Sequence, residues 1–575
     1  MVLKEIVEDR FMKDVLRAVQ PDESWKVLVL DTLAAKILSS CTRMTELVSE
    51  KVVLVENIEK SREVVPYEAI YLLYPDPETL RIFISDFERR PQYPAAHLFL
   101  LAACPDDLFD DIRNSAVYNF LKTFKEIYLS FLVYESLVYL LEYPKFFQLY
   151  FGPEKIEEVH LVRLADQLAS LCFTLNEYPS IRYSSNFDAC FELARLVSKR
   201  METFKNENPE LGEGFEKSRS TLIILDRSFD LRSPFLHELT YQAMAYDLLD
   251  IENDYYVYER NLLGQSQATF LDEQDDYWKE LRHEHIASVT QNVTRKLSEF
   301  KRDRNIKTEK TTFKDLSLMI KKMPQYKKDL NKLSIHFHLA SDCMEKYQRS
   351  IDLVCDAEQD LALGVDDNDE VMRDPLKKLI PVLLDSVIRP VDKIRLIILY
   401  TLHQNGISSD NLAKLLHHAH ASEAERAVLH NLRFLGANVQ TDMARRYVPF
   451  SYPRKLREKD RKYKLARWVP VIKDIMEDAI DGRLDKGIFP YVKERAPHDV
   501  SARAPTSLRY QTTRTDARRV MSRCIVFIVG GVCYSETRSA YEVTGRYNPK
   551  WEVIIGSDLV ITPKKFMEHI QNLSQ

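Results

Sequence analysis

The chain has 575 residues, 45% apolar and 29% charged, with a formal net charge of −6. That is an ordinary globular composition, long enough for about three or four domains of about 150 residues each, and its charge gives no global pull toward nucleic acid. Its 13 glycines are about a third of the usual share of roughly 7%, and the chain holds neither of the glycine-rich spacings that cradle phosphates.

Eight cysteines form no CxxC pair and read as reduced, buried thiols of a cytosolic chain. The opening MVLKEIVEDRFMKD has the spacing of a short amphipathic helix rather than a signal peptide. No apolar run approaches the roughly eighteen residues of a membrane span.

Taken in order, residues 26–30 (KVLVL) read as a strand ending at Asp31, and residues 32–41 as a helix. Further strands are expected at 52–55, 69–73, 81–84 and 97–101, and this alternation predicts a parallel, doubly wound sheet. A boundary is expected near residue 128, close to another strand at 127–133. Amphipathic helices are expected over 159–175 and 187–204, then a polar linker over 206–218 and a buried strand over 221–225. That strand stops at the charged turn Asp226-Arg227-Ser228-Phe229-Asp230, and Pro234 is expected to open a helix carrying His237, Leu239, Met244, Tyr246 and Leu248.

From 236 to 470 the pattern is almost wholly helical, for example over 316–322, 326–354, 393–403 and 411–418, with an acidic insert at 366–370. A basic run at 454–464 precedes a helix at 468–479. A basic loop over 495–523 is expected to be mobile. A strand at 524–530 (CIVFIVG), a helix at 535–543, a strand at 551–555 and a helix at 563–573 close the chain. The simplest layout is one sheet whose chain leaves at Asp226 and returns at Cys524 around an inserted helical domain. The fold class is therefore α/β plus α: an α/β segment at 1–128, a second, discontinuous α/β domain from 129–235 and 471–575, and a helical insertion at 236–470.

Chemistry is hard to find. Asp31 and Asp226 stand at strand ends, but neither has the second Asp two residues on that a phospho-aspartate phosphatase needs. His237-Glu238-Leu239-Thr240-Tyr241 begins like a zinc-protease helix, yet Tyr241 stands where the second His belongs. Gly264-Gln265-Ser266-Gln267-Ala268 lacks the buried strand of a nucleophile elbow. His417, His418, His420 and His430 share no single helix face, and Gly530-Gly531 reads as a tight turn. The basic run at 454–464 is interleaved with acids and reads as a solvated loop or a surface for an acidic protein partner. No metal, cofactor or catalytic set emerges, so the chain is expected to bind proteins rather than catalyse.

At Ile224-Leu225-Asp226-Arg227-Ser228-Phe229-Asp230 the sequence resembles the SM (Sec/Munc) family, the syntaxin-binding proteins of SNARE-driven vesicle fusion. Residues 233–256 (SPFLHELTYQAMAYDLLDIENDYY), 467–478 (RWVPVIKDIMED), 527–531 (FIVGG) and 536–544 (ETRSAYEVT) look like its exocytic branch. The resemblance implies a non-enzymatic, cofactor-free, three-domain arch whose first and third domains hold the helical bundle of a closed syntaxin. It places syntaxin-facing charges at Asp31, Lys36, Arg43, Glu56, Lys60 and Glu63. Lys36 stands where relatives often carry Arg, which exchanges a bidentate fork for a point charge. It places a pocket for the syntaxin N-terminal peptide at Phe109, Leu121, Phe124 and Glu126, where the spacing in NSAVYNFLKTFKEI predicts a helix with Leu121 and Phe124 on one face. It places a two-state hinge at Pro324 and a vesicle-SNARE contact at Phe337. The implied role is a cytoplasmic protein recruited to the plasma membrane through syntaxin, which clamps closed syntaxin and later templates SNARE assembly. The alternatives are a relative serving another trafficking step through assembled SNARE complexes and, more remotely, a hydrolase using Asp226.

Overall fold

The computed structural model describes residues 2–19, 25–213, 220–259, 266–302, 327–441, 447–455, 457, 463–493 and 521–574. Helix α1 (Leu3–Phe11) precedes the first sheet but packs on α2 (Thr32–Cys41), α7 (Glu158–Thr174) and β6 (Leu132–Glu135), so it bridges two layers. The first sheet has five parallel strands: β1 (Lys26–Leu30), β2 (Val52–Asn57), β3 (Glu68–Leu73), β4 (Ala96–Leu100) and β5 (Leu121–Glu126), in the order β2-β1-β3-β4-β5. Every residue of β1 is buried, as a run of Val and Leu in a strand covered on both faces requires. Helices α2, α3 (Met44–Ser49), α4 (Pro77–Glu88) and α5 (Asp106–Asn114) connect the strands. Asp76 caps α4 through the Thr79 amide, and Pro77 supplies the preset φ at the first turn.

Two expectations fail here. Residues 81–84 lie inside α4, because the Asp-Pro start and the buried Leu80, Phe83 and Phe87 give that stretch a helical period. The helix expected around Leu121 and Phe124 is strand β5. A bulge opposite Ala96–His97 leaves Lys122 without a partner in the ladder, and Leu121 and Phe124 pack on the same core although they are three residues apart.

The second sheet has six strands in the order β6-β7-β14-β12-β9-β8. They are β6, β7 (Val138–Leu140), β8 (Ser180–Tyr183), β9 (Thr221–Asp226), β12 (Ser522–Val529) and β14 (Trp551–Ser557). Of the strand expected at 127–133 only the end is kept, as the start of β6. Helices α6 (Phe146–Phe151), α7 and α8 (Asp188–Glu207) belong to its first chain segment. Strand β12 pairs in parallel with β9, Cys524 opposite Thr221, and with β14, Ser522 opposite Trp551. The sheet therefore closes across the insertion, and Ile525, Val526, Phe527 and Ile528 are fully buried between the two chain segments. At about 1.5–3 kcal/mol for each such side chain, this burial ties the two segments together.

The insertion is less uniform than its helical pattern suggests. Pro234 opens only the short 3₁₀ turn Ser233–Phe235, and α9 (Tyr241–Leu248) starts after Thr240. A β-hairpin follows, β10 (Tyr255–Glu259) against β11 (Ser266–Phe270). Then come α10 (Asp276–Leu281), α11 (Ile286–Arg302), α12 (Lys327–Leu363), α13 (Leu376–Leu384), α14 (Pro390–Gln404), α15 (Ser409–His418) and α16 (Glu423–Asn431). Helix α12 has 37 residues, on the order of 55 Å at 1.5 Å per residue, and it joins two cores. Leu333, Leu339, Cys343 and Ile351 pack with α9, α10 and α11. Val354, Ala357 and Leu361 pack with α14 and the second sheet. The helix expected at 468–479 begins at Val471, after Pro470, as α17 (Val471–Ile480). The chain ends with β12, β13 (Val532–Cys533), α18 (Tyr534–Tyr547), β14, β15 (Val560–Ile561) and α19 (Pro563–Gln571). All eight cysteines are free thiols. The helix expected at 316–322 and residues 495–520 of the basic loop lie outside the described residues.

Candidate partner-binding surfaces

The first surface lies at the β2 edge of the first sheet. Among the described residues strand β2 pairs only with β1, and its Val53 and Leu54 are exposed. Val53 is the extra residue of a bulge, since Val52 lies opposite Lys26 and Leu54 opposite Val27, so the regular alternation of faces is broken there. Met44 and Val48 on α3, and Val64 on the loop after β2, are exposed as well. Charges stand among these apolar groups. Lys36 is 52% exposed and meets Glu142 at 2.6 Å. Arg43, Lys60 and Glu63 are exposed, and the Arg43 amide donates to Glu46 Oε2 as the start of α3. Glu56 is half-buried and accepts the Tyr93 hydroxyl at 2.5 Å.

Asp31 differs from the other five. It is 5% exposed, and its oxygens accept the amides of Ala34 and Tyr74. Burial pushes its carboxyl up and those amides pull it back. Its work is capping α2 at the end of β1, so it reaches a partner only by holding Lys36's helix in place. Arg62, which the sequence did not single out, has a comparable positioning role. Its guanidinium grips Asp86 through two 2.8 Å bonds and the Ile58 carbonyl through a third, which fixes the loop bearing Lys60, Glu63 and Val64.

The second surface gathers Phe109 of α5 and three residues of β5. The Phe109 ring stands edge-on to Phe124, centroids 5.3 Å apart, and Phe109 is 42% exposed. Leu121 and Phe124 are half-buried on the core beneath. Glu126 accepts the Cys104 amide at 2.8 Å and the Tyr128 hydroxyl at 2.5 Å, which sets the turn behind the rings. Helix α5 also carries Asp106, Asp107, Asp110 and Asp111, of which Asp106 and Asp110 lie nearer Phe109 around the helix, so the aromatic ledge has an acidic border.

In the insertion, Pro324 lies outside the described residues, and Phe337 is half-buried on α12 against the α9–α11 core. The junction of insertion and sheet is dense with buried charge. Arg227 and Glu536 form a bidentate pair at 2.9 and 2.7 Å, both fully buried. Asp230 accepts the amides of Arg232, Ser233 and Val471 and the Ser233 hydroxyl. His237 donates to Glu358 at 2.9 Å and faces Asp392 at 3.5 Å, with the Arg395 guanidinium 3.2 Å away. Burial and Arg395 pull the imidazole down, but Glu358 and Asp392 outweigh them and hold it at about 9. The ligand atoms of His237, Cys355 and Glu358 come within 4.8 Å of one another. An imidazolium bonded to a guanidinium's neighbour is an ion network, however, and the cationic charge a metal would bring is already there.

Among the described residues of the basic run, Arg454 and Arg457 pair with Asp474 and Lys455 pairs with Glu477 and Asp478, all on α17, so this part of it is not the solvated loop expected. Gly530 and Gly531 have φ of +94° and +98°, and a Cβ on either would lie 2.5 or 2.4 Å from Phe151 or Ile561. Their amides point to the chain's own Asp558 and Ser557, as a tight turn does. Asp226 is fully buried and accepts the Ser228 amide at 2.9 Å. No helix among the described residues is long and apolar enough to cross a membrane.

The Sec1 family model matches residues 26–569. The protein transport protein sec1 of Dictyostelium discoideum is 34% identical, covering 99% of this chain and 99% of its own. That of Schizosaccharomyces pombe is 29% identical, covering 100% of this chain and 86% of its own. Among solved structures, the Unc18–syntaxin 1 complex from Monosiga brevicollis superposes with a TM-score of 0.88 at 32% identity over 100% of both chains. The chain belongs to the Sec1 family, and with it to a group of non-enzymatic proteins of transport.

Proposed function

We propose that this Sec1-family chain binds a syntaxin and regulates SNARE-mediated docking and fusion of vesicles at the plasma membrane. The β2–α3 face and the helices of the insertion hold the closed syntaxin bundle, and the Phe109–Phe124 ledge takes its N-terminal peptide. The same chain then templates assembly of the SNARE complex, with Phe337 meeting the vesicle SNARE, and it reaches the membrane from the cytoplasm through syntaxin.

The observation that carries this reading is the open β2 edge. Val53, Leu54, Met44, Val48 and Val64 are exposed among Lys36, Arg43, Lys60 and Glu63. A patch of that composition marks a protein-binding surface. A relative alike over its full length was solved with a syntaxin. The acidic border of the aromatic ledge suits a peptide with basic residues.

Calorimetry with the cytosolic part of a cognate syntaxin tests the proposal. Binding is expected at or below micromolar concentration, and Lys36→Glu with Arg43→Glu is expected to weaken it by roughly ten-fold or more through faster dissociation. Phe124→Ala is expected to weaken only syntaxin that keeps its N-terminal peptide. No binding at micromolar concentration would sink the reading.

A further inference from the structure

The place where the chain leaves the second sheet holds a cavity that the interaction surfaces do not use. The ends of β8 and β9, the end of α14, the 436–438 turn and segments 447–455 and 467–471 line a partly open cleft of about 1320 Å³. In open α/β sheets, ligands collect outside the carboxyl ends of the strands, and this cavity opens there. Its walls include Trp468, Phe450 and Phe229.

Arg232 lines this space with no ion pair or side-chain hydrogen bond among the described residues, its Cζ standing 5.9 Å from the Trp468 ring. Asp230 is its nearest acid in sequence, but that carboxylate is committed to three amides and a hydroxyl. The other cations on the lining are satisfied: Arg454 and Arg457 by Asp474, Lys455 by Glu477 and Arg467 by Asp360. Asp188 and Asp369 also stand on the lining, exposed and therefore screened by water. Burial pulls the Arg232 guanidinium below its usual range, with Asp230 pulling the other way, and burial together with Arg232 holds His403 down as a neutral imidazole.

A half-buried guanidinium without a partner carries an uncompensated desolvation cost, and its planar fork matches the oxygens of a phosphate. The volume is far larger than a bare phosphate needs, and its aromatic walls suit an apolar or planar body. We propose that the cavity binds an organic phosphate, its phosphomonoester held by Arg232 and its body against Trp468 and Phe450.

The test titrates phenyl phosphate, inorganic phosphate and phenol into the full chain by calorimetry and thermal unfolding. Phenyl phosphate is expected to raise the melting temperature and to bind more tightly than either half of itself. Arg232→Gln is expected to weaken it on the order of ten-fold, the loss of one charge-assisted contact, and Arg232→Lys to retain part of the binding. Co-sedimentation with liposomes carrying phosphatidylinositol 4-phosphate, lost in Arg232→Gln, supports a lipid headgroup as the source; phenyl phosphate binding without co-sedimentation supports a free metabolite. Equal phenyl phosphate binding in Arg232→Gln and wild type, or no binding at millimolar ligand, overturns the proposal. Should Arg232→Gln fail to fold, the wild-type titrations decide, because an equal response to phenol and phenyl phosphate overturns it as well.

Discussion

The sheet–insertion junction and the β2 face are both rich in charge, and they use it in opposite ways. At the junction, Arg227 and Glu536 are fully buried and paired, and His237, Glu358, Asp392, Arg395 and Asp247 form one network. Nearby, Glu273 accepts from Arg282 and Ser136 and pairs with Lys4 of α1. Except for Glu273–Arg282, nine residues apart, these ties join segments far apart in the chain, so the charge specifies how the chain docks on itself. On the β2 face, Arg43, Lys60 and Glu63 are exposed, and the half-exposed Lys36 meets Glu142 alone among the described residues. Charge of that kind adds little to stability, and under the proposed function it meets the partner.

The largest effect that could break this contrast is at Arg227. Arg227→Met alone, or Glu536→Gln alone, is expected to cost about 3–5 kcal/mol, because each leaves an unpaired buried charge or donor. The double variant Arg227→Met with Glu536→Leu is expected to recover most of that. Denaturant midpoints measure both, and a single variant with an unchanged midpoint would refute the assignment.

A pH series sharpens the same side of the comparison. Burial pushes the Glu273 carboxyl up, but Arg282 and Lys4 outweigh it and bring it to about 2, below its ordinary 4.5. Its contribution is therefore fully present above pH 4.5 and is lost as the pH falls toward 2. At 1.36 kcal/mol per unit this is on the order of 3 kcal/mol. His237 runs the other way, from 6.5 up to about 9, so its contribution holds below pH 6.5 and is lost as the pH rises through 9. Glu273→Gln should flatten the acid limb of stability against pH and His237→Gln the alkaline limb. An acid limb unchanged by Glu273→Gln would remove Glu273 from the account.

The smallest effect belongs to the β2 face. Lys36→Ala with Arg43→Ala is expected to move stability by less than about 0.5 kcal/mol while weakening the partner. A loss of stability as large as that of Arg227→Met would erase the distinction between the two regions.

Much of the architecture was legible in one dimension. The unbroken apolar runs at β1, β9 and β12 announce buried parallel strands because both faces of such strands are covered, and no tertiary knowledge is needed to see it. The return of an α/β pattern after the helical stretch announces the insertion in the same way. Residues 81–84 and β5 were misread for a shared reason. A short apolar run carries too little period to separate helix from strand, and at β5 the bulge beside Lys122 imitates helical spacing. The 255–270 hairpin was missed because Tyr256 and Tyr258 bury one face against α12 while Tyr255, Val257 and Phe270 stay exposed, which blurs the alternation that marks a strand.

The sequence by itself determined the family, the two α/β layers and the chain's exit at Asp226, since these follow from local periodicity and contiguous motifs. Only the tertiary structure decided what each charge does. Asp31 and Lys36 are five residues apart, yet one is sealed as a helix cap and the other stands in solvent. Arg227 finds Glu536, and Arg454 finds Asp474, while Arg232 finds no acid among the described residues. Burial and the identity of a partner distant in sequence set the worth of a charge, and neither is a property of the residue or its neighbours along the chain.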